Sequence, residues 1–294
     1  MTSAPTIIVG CGDLGRRVAL RLPAGTVRAI VRGESSAQAL REAAIDARAF
    51  DLDATDVPID AGADVFWFAP PPETGTTDPR LRRWCAARTS APRRLVYVST
   101  SGVYGDCAGA WIDEDAPLQP RTDRGRRRLD AERALQDLAR ARGTEVVVLR
   151  VPGIYGPGRL PVERLKKGLA VVREEEAPWT NRIHVDDLAT VALAAMARGR
   201  PGCAYNVSDG HPTTMTDYFV RCARLLGLPE PPRVTLEIAR ASFTPAMRSF
   251  LEESKRLVNR RMLDELGITL RYPSLEHGLP ACLEGAATTV IRPA

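Results

Sequence analysis

The sequence predicts an α/β protein in which a parallel sheet is covered by helices on both faces. Three observations predict it. The apolar segments, such as residues 64–69 and 145–149, are continuous runs without polar alternation, as expected of strands buried on both faces. These runs alternate along the chain with segments of helical periodicity. The chain has 294 residues, of which 44% are hydrophobic and 26% charged, and this composition is typical of globular proteins.

The first half of the chain supplies most of the predicted sheet. The strands expected there are residues 6–9, 26–31, 47–50, 64–69, 94–98 and 145–149. A helix follows the first strand and stops at Pro23. Residues 79–88 form a second helix with proline in its first turn, and residues 123–142 form a long third one. Residues 182–207 are expected to return to the sheet as a helix and a last strand.

The formal charge of +5 raises the question of a nucleic-acid partner, and the pattern of basic residues argues against one. The arginines are spread along the chain. A single dense cluster, Arg124 with Arg126, Arg127 and Arg128, has no aromatic side chains between its members for base stacking. We therefore expect no nucleic-acid partner.

Membrane, secretion and metal binding are not expected either. The longest nearly apolar stretch, residues 188–197, is far shorter than the roughly 20 residues that span a bilayer. No basic residue precedes Arg16, so the first residues do not resemble a signal peptide, and a cytoplasmic protein is expected. The six cysteines include no CxxC pair and the three histidines lie far apart, so no metal site is predicted.

A glycine turn joins the first strand to the first helix. In Gly10-Cys11-Gly12-Asp13-Leu14-Gly15 the first glycine permits the turn, the second lets backbone approach a pyrophosphate, and the third lets helix and strand pack closely. Gly10, Gly12, Asp13, Leu14 and Gly15 are therefore predicted to bind a dinucleotide at the helix N-terminus. Asp13 is interpreted as a helix-terminus acid, and a tight turn without a ligand is the alternative.

The end of the second strand bears on which dinucleotide binds. An NAD site favours a carboxylate there, but Arg32 occupies this place and is followed by serines. A guanidinium and hydroxyls suit a 2′-phosphate, so NADP is predicted. NAD is the less favoured alternative, which Glu34 would serve if its loop turned inward. Asp51 and Pro70, which follow the third and fourth strands, complete the predicted cofactor site.

The fold prediction is thus a Rossmann-type doubly wound parallel sheet with a smaller, mostly helical C-terminal substrate lid. Residues 1–151 with 182–208 form the predicted NAD(P)-binding domain. Residues 152–181 with 209–294 form the predicted lid, where glycine, proline and arginine first dominate and helical patterns follow.

Four further motifs follow the glycine turn in a fixed order. They are VYVSTSGVYGD at 96–106, LRVPGIYGPGR at 149–159, RIHVDDLA at 182–189 and YNVSDG at 205–210. Over residues 6–210 the chain resembles the extended short-chain dehydrogenase/reductase superfamily of the NAD-dependent epimerase/dehydratase type, and its GCGDLG turn resembles the atypical branch. The resemblance implies that Thr100 lies beside the reacting oxygen.

The catalytic pair of that family is altered here. The resemblance places Arg124 where the family has its tyrosine and Arg128 where it has its lysine, and the i, i+4 spacing is kept. Arginine stays charged and cannot pass a proton as tyrosine does, although Arg128 could hold ribose hydroxyls or a phosphate. The alternative is that both arginines belong to a solvated helix face. Tyr104 and Tyr155, on loops after strands, are the other candidate proton carriers, and aromatic packing in turns is their alternative explanation.

We interpret the chain as an NAD(P)-dependent oxidoreductase or epimerase-like enzyme. Its substrate is a small, sugar-like hydroxyl or carbonyl compound, and the reaction is hydride transfer. A non-catalytic NADP(H)-binding sensor or partner-binding protein is the alternative. A flavin or methyl-transfer protein fits the four motifs poorly. The resemblance also implies a homodimer, formed through the helices at 79–88 and 123–142.

Overall fold

A computed structural model of the protein describes residues 5–87 and 91–284. The predicted domains include residues 1–4 and 285–294, which lie outside the described residues. Residue 88, the last residue of one predicted helix, also lies outside them. Side chains are described for all the remaining residues except 245, 246 and 284.

The strands, numbered in chain order, are β1 (Thr6–Val9), β2 (Val27–Val31), β3 (Asp46–Ala49), β4 (Asp64–Trp67), β5 (Arg94–Thr100), β6 (Trp111–Ile112), β7 (Glu145–Val151), β8 (Gly153–Tyr155), β9 (Val171–Val172), β10 (Trp179–Thr180), β11 (Arg182–His184), β12 (Ala204–Asn206), β13 (Thr213–Thr214), β14 (Arg233–Val234) and β15 (Arg256–Leu257). The helices are α1 (Asp13–Ala19), α2 (Glu34–Glu42), α3 (Pro79–Ala86), α4 (Asp123–Arg142), α5 (Val162–Lys166), α6 (Val185–Arg198), α7 (Met215–Leu225), α8 (Leu236–Ser242), α9 (Pro245–Leu251), α10 (Arg260–Leu266) and α11 (Leu275–Glu284).

A parallel sheet forms the centre of the described chain. Its seven strands are ordered β3-β2-β1-β4-β5-β7-β12, and every neighbouring pair is parallel. The predicted Rossmann-type sheet is confirmed, including the return of the chain through α6 and β12. The strand order reverses between β1 and β4, and open α/β sheets bind ligands at the carboxyl edge beside such a reversal.

Both faces of the sheet are covered by helices because consecutive residues of each strand point to opposite sides. Ile8 packs on one face in a cluster with Leu188 of α6. Its neighbour Ile7 packs on the other face with Trp84 of α3 and Leu135 of α4. All of these side chains are buried. Each continuous apolar run of the sequence therefore contributes its residues alternately to the two core faces of the sheet.

Helix α4 lies unusually close to the turn that follows β5. A Cβ on Gly125 would stand 2.6 Å from the carbonyl oxygen of Gly102, so only glycine permits this approach. Thr122 begins the helix by accepting a hydrogen bond from the Gly125 amide at 3.2 Å. The first turns of α4 are thereby held against the residues that follow Thr100.

The C-terminal part is mostly helical, as the sequence predicts, and it also contains short strands. Besides α7, α8, α9 and α11 it contains short two-stranded pairs, β8 with β11, β9 with β14 and β10 with β13. Its own core includes Tyr155, Phe219 and Leu279. Met262 and Leu266 of α10 instead pack into the core of the central sheet. The division between domain and lid at 208/209 stays a prediction, as does the homodimer.

Among the helices of the described chain, none combines the length and apolar character needed to cross a membrane.

Candidate functional site

The glycine turn lies at the carboxyl edge of the sheet, between β1 and α1. Gly10 has a φ of +85°, and a Cβ there would stand 2.4 Å from the Ala69 backbone nitrogen. A Cβ on Gly15 would stand 3.1 Å from Cγ2 of Ile8, so this glycine allows α1 to pack on β1. A Cβ on Gly12 would meet nothing within 4 Å. The protein itself therefore does not require glycine at position 12, whereas a ligand that approaches the turn would.

A cleft of about 150 Å³ opens beside this turn. It brings together four of the residues that the sequence predicts for cofactor binding, namely Gly10, Arg32, Asp51 and Pro70. The remaining predicted residues are placed differently. Leu14 is buried in the core of the sheet, where its side chain packs rather than binds.

Arg80 and Asp53, which the sequence did not identify, set the charge of this cleft together with Arg32. Arg80, from α3, holds Asp53 through two hydrogen bonds of 2.5 Å. These bonds lower the pKa of Asp53 below its usual value. Arg32 lies 3.8 Å from the same carboxylate, and 80% of its side chain remains exposed. The Arg32 guanidinium is thus weakly held and free to meet an anion.

The environment of Glu34 differs from the loop that the sequence analysis assumed. Glu34 is the first residue of α2, and its carboxylate forms an ion pair with Arg41 at 2.5 Å. Glu34 does not line the described cleft beside Gly10. The loop assignment is wrong because Gly33 begins a helix in which Glu34 and Arg41 lie two turns apart on one face.

A second cleft, of about 360 Å³, opens at the end of β5. Thr100 lines it, as the resemblance implies, and the Thr100 Oγ1 accepts a hydrogen bond of 3.2 Å from the Gly102 amide. Arg159 lines the same cleft and forms an ion pair with Asp13 of the glycine turn at 2.7 Å. The two clefts therefore lie next to each other at one edge of the sheet.

The two arginines that the resemblance assigns to the positions of the family pair have separate environments. Arg124 lines the second cleft, with its guanidinium carbon 5.1 Å from the centre of the Phe250 ring. Desolvation in this setting lowers its pKa, although an arginine remains cationic. Arg128 instead donates to the Val98 carbonyl at 2.5 Å and to the Tyr97 hydroxyl at 3.2 Å. Only Arg124 faces the cleft, where it is exposed, whereas Arg128 is held against the end of β5 by these two hydrogen bonds.

Tyr104 lies outside the second cleft. It is 2% exposed, and its hydroxyl donates to Oδ1 of Asn206 at 2.7 Å while accepting from Arg150 at 3.0 Å. Burial raises its pKa to about 12. This hydroxyl is committed to a buried network that also contains the ion pair of Arg150 with Glu132. Its placement favours the packing explanation for this tyrosine.

Tyr155 is also buried away from the cleft. Its hydroxyl donates to the Ser274 carbonyl at 3.3 Å, and its ring meets His184 edge-on at 5.2 Å. Burial raises its pKa further still. Its placement, like that of Tyr104, fits aromatic packing.

The second cleft contains ionic residues that the sequence assigns to no site. Lys255 is buried and forms an ion pair with Glu253 at 2.6 Å. Arg182 belongs to a quoted motif, but nothing in the sequence assigned it to a site. Arg182 reaches the cleft from β11, which pairs with β8. Glu253 and Lys255 reach it from the segment just before β15, which pairs with β6. In the part of the chain that the structure describes, no cluster of metal-binding side chains occurs.

Comparison with known proteins agrees with this geometry. A family model for the NAD dependent epimerase/dehydratase family matches residues 80–208. A 3-diazoavenalumate denitrifying reductase from Streptomyces sp is 30% identical over 223 residues, which cover 71% of this chain and 73% of that protein. The chain belongs to the NAD-dependent epimerase/dehydratase family. Protein YeeZ of Escherichia coli K12 is 31% identical over 183 residues, 61% of this chain and 59% of YeeZ, so the match spans less than two thirds of that relative.

Solved structures share the fold of this family member over nearly its whole length. A functionally unknown conserved protein from Silicibacter pomeroyi DSS has a TM-score of 0.83 and 35% identity, with 96% of this chain and 99% of that chain covered. UDP-glucose 4-epimerase from Thermotoga maritima, solved with UDP-glucose, has a TM-score of 0.76 at 19% identity, covering 97% and 99% of the two chains. MoeE5 in complex with UDP-glucose and NAD has a TM-score of 0.74 at 21% identity, covering 98% and 100%.

Proposed function

We propose that this family member is an NADP(H)-dependent oxidoreductase that acts on a carbonyl or hydroxyl group of a small substrate. The observation that carries the proposal is the adjacency of two clefts at the switch point of the sheet. One cleft adjoins the glycine turn and the other contains Thr100, and Arg159 links them by binding Asp13 while lining the second. A cofactor in the first cleft would then reach a substrate in the second.

The residues of the first cleft fit a dinucleotide. Gly12 leaves open space where a side chain would otherwise stand, and Gly10, Asp51 and Pro70 line the adjoining cavity. When bound, the nicotinamide supplies or accepts the hydride. Arg32 is the residue we assign to the 2′-phosphate, because it is exposed and cationic while Glu34 is paired with Arg41. NADP is therefore proposed over NAD, which the structure of MoeE5 contains.

In the second cleft, Thr100 would hydrogen-bond the reacting oxygen of the substrate. The Arg124 guanidinium lines the same cleft and would attract an anionic part of the substrate. Arg124 cannot donate the proton, so water would supply it. The name of one relative, a reductase, supports the reductive direction. Residues 152–181, together with α7, α8, α9 and α11, would enclose the substrate.

The proposal is tested by following oxidation of NADPH with a panel of aldehydes, ketones and nucleotide sugars. The wild type should turn over slowly, and Thr100→Val should be slower still. Arg124→Tyr/Arg128→Lys should raise turnover toward the roughly 10²- to 10⁴-fold that general acid–base catalysis contributes. Fast wild-type turnover that Thr100→Val leaves unchanged would refute the proposed site.

One observation favours a second candidate, a non-catalytic NADP(H) sensor. The resemblance assigns Arg124 and Arg128 to the positions of the family pair, and the alternative tyrosines Tyr104 and Tyr155 are buried outside the cleft. Tight NADPH binding without turnover of any member of the panel would support this candidate over the first.

A further inference from the structure

Arg182 is a buried cation that forms no ion pair with the described residues. The residue is 7% exposed, and its guanidinium carbon lies 3.7 Å from the centre of the Tyr218 ring. Its hydrogen bonds are long, 3.4 Å to Oγ1 of Thr180 and 3.6 Å to Sδ of Met215. Its Nε has no hydrogen-bond partner, and no carboxylate of the described residues lies within ion-pair distance of it, although the buried Asp209 acts on it at longer range. Buried charges are normally paired because removing them from water is costly, so this arginine lacks an expected anion.

An anion that pairs with Arg182 would lie in the second cleft. Arg182 lines this cleft, and a Cβ on Gly153 would stand 2.5 Å from its Nη1. Glycine at position 153 therefore makes room for the guanidinium beside β8. Burial lowers the pKa of Arg182, yet arginine keeps its charge in proteins.

Arg124 is the second unpaired cation of the cleft. It forms no hydrogen bond or ion pair with the described residues and contacts the Phe250 ring. The other cations there are already paired, Lys255 with Glu253 at 2.6 Å and Arg159 with Asp13 at 2.7 Å. The cleft therefore carries an excess of two positive charges.

We propose that Arg182 and Arg124 form an oxyanion subsite that binds a carboxylate or phosphate group of the substrate. Guanidinium groups bind both anions through pairs of N–H donors. The apolar surfaces beside them belong to Phe250 and Trp179, which are 37% and 38% exposed, and to Met215. An apolar or aromatic part of the substrate would pack against these surfaces. This inference rests on the proposed function, since it names the substrate class of the same cleft.

The test uses calorimetry with three probes of similar size, benzoate, phenyl phosphate and neutral benzyl alcohol. Wild-type protein should bind at least one of the anions and should bind the alcohol at least tenfold more weakly. Arg182→Gln and Arg124→Met should each lower the affinity for the anion about tenfold or more. Arg126→Met is the matched control, because Arg126 lies on the same helix and pairs only with exposed Asp123.

The two anions distinguish the source of the charge, since preference for benzoate assigns a carboxylate and preference for phenyl phosphate assigns a phosphate ester. Equal binding of benzyl alcohol, or undiminished anion binding in Arg124→Met, would overturn the subsite even if Arg182→Gln failed to fold. Anion binding that Gly12→Val abolishes and Arg182→Gln retains would place the anion at the glycine turn and also overturn it. NADPH titrations of the wild type and the two arginine variants separate failure of the subsite from failure of the proposed function. A protein that lacks only the anion subsite still binds NADPH.

Discussion

Nε of Arg159 donates a 2.7 Å hydrogen bond to Oδ2 of Asp13, and Nε of Arg17 donates to the other oxygen at 2.9 Å. Burial by itself raises the pKa of Asp13, but these two guanidinium groups outweigh it and lower the pKa below its usual value. An acid at the first turn of α1 would repel a pyrophosphate. The two arginines neutralise it, and Arg159 also ties the segment after β8 to the glycine turn.

We expect Arg159→Met to weaken NADPH binding about two- to tenfold, because Asp13 would lose a counter-charge beside the phosphates. Calorimetry measures this change. Adding Asp13→Asn to the variant should restore most of the affinity. Unchanged affinity in the single variant would mean that the ion pair only fastens the two segments together.

Arg32→Ala should lower the affinity for NADPH about tenfold or more and leave that for NADH unchanged. The reason is that a hydrogen bond to a charged group contributes roughly 1.5–3 kcal/mol, and only NADPH carries the 2′-phosphate. Parallel titrations with both dinucleotides check the prediction. Glu34→Gln is the control, since Glu34 is paired with Arg41 and should affect neither affinity. Equal wild-type affinities for the two cofactors would contradict the assignment of Arg32.

Tyr104→Phe should destabilise the protein without changing the pH profile of any turnover. Removing its hydroxyl leaves Asn206 and Arg150 each short of a buried partner, which costs roughly 1–3 kcal/mol. Tyr155→Phe should cost less, because it removes one bond of 3.3 Å. Urea unfolding measures both effects. A change in the pH profile of turnover would instead identify the altered tyrosine as a proton carrier.

Titration of Asp209 makes the stability of the protein depend on pH. Its Oδ1 accepts from the His211 amide at 3.0 Å, while its buried Oδ2 has no partner among the described residues. Burial raises its pKa from 3.8 to about 7. Because the folded state binds this proton more tightly than the unfolded state, the stabilisation is complete below the ordinary pKa and is lost as the pH rises through 7.

Asp209→Asn should remove that dependence, since an amide keeps the acceptor for His211 and carries no charge. We expect the free energy of unfolding of the variant to rise relative to wild type by about 2–3 kcal/mol between pH 5 and pH 8. Denaturant titrations at several pH values provide the measurement. A difference between the two proteins that is constant with pH would show that Asp209 is already ionised at pH 5.

The sequence predicted the parts of this protein that depend on local pattern. The strands could be read because their buried runs are continuous, and the positions of Gly10, Arg32 and Thr100 followed because each lies where a parallel strand ends. Arg182 and Glu253 could not be read in the same way. They reach the second cleft through pairing between β11 and β8 and through the segment before β15, which join residues far apart in the chain.

The two tyrosines that the sequence places on loops show a different limit of sequence reasoning. Loops usually lie at the surface, yet Tyr104 ends a 3-10 turn and is 2% exposed, and Tyr155 is the last residue of β8 and is fully buried. Their hydroxyl groups are satisfied by Asn206 and Ser274, which follow them by about a hundred residues or more. Periodicity carries no information about such partners, so the choice between catalysis and packing required the structure.

The central claim is that the glycine turn binds NADP(H), and calorimetric titration of wild type and Gly12→Val with NADPH tests it most directly. A valine at position 12 meets no protein atom within 4 Å of its Cβ, so the variant should fold with an unchanged melting temperature. Its Cβ and methyl groups would occupy the space of the pyrophosphate. We predict one NADPH bound per wild-type chain and none bound to the folded variant. Equal binding to the two proteins would contradict the account, as would a wild type that binds neither NADPH nor NADH.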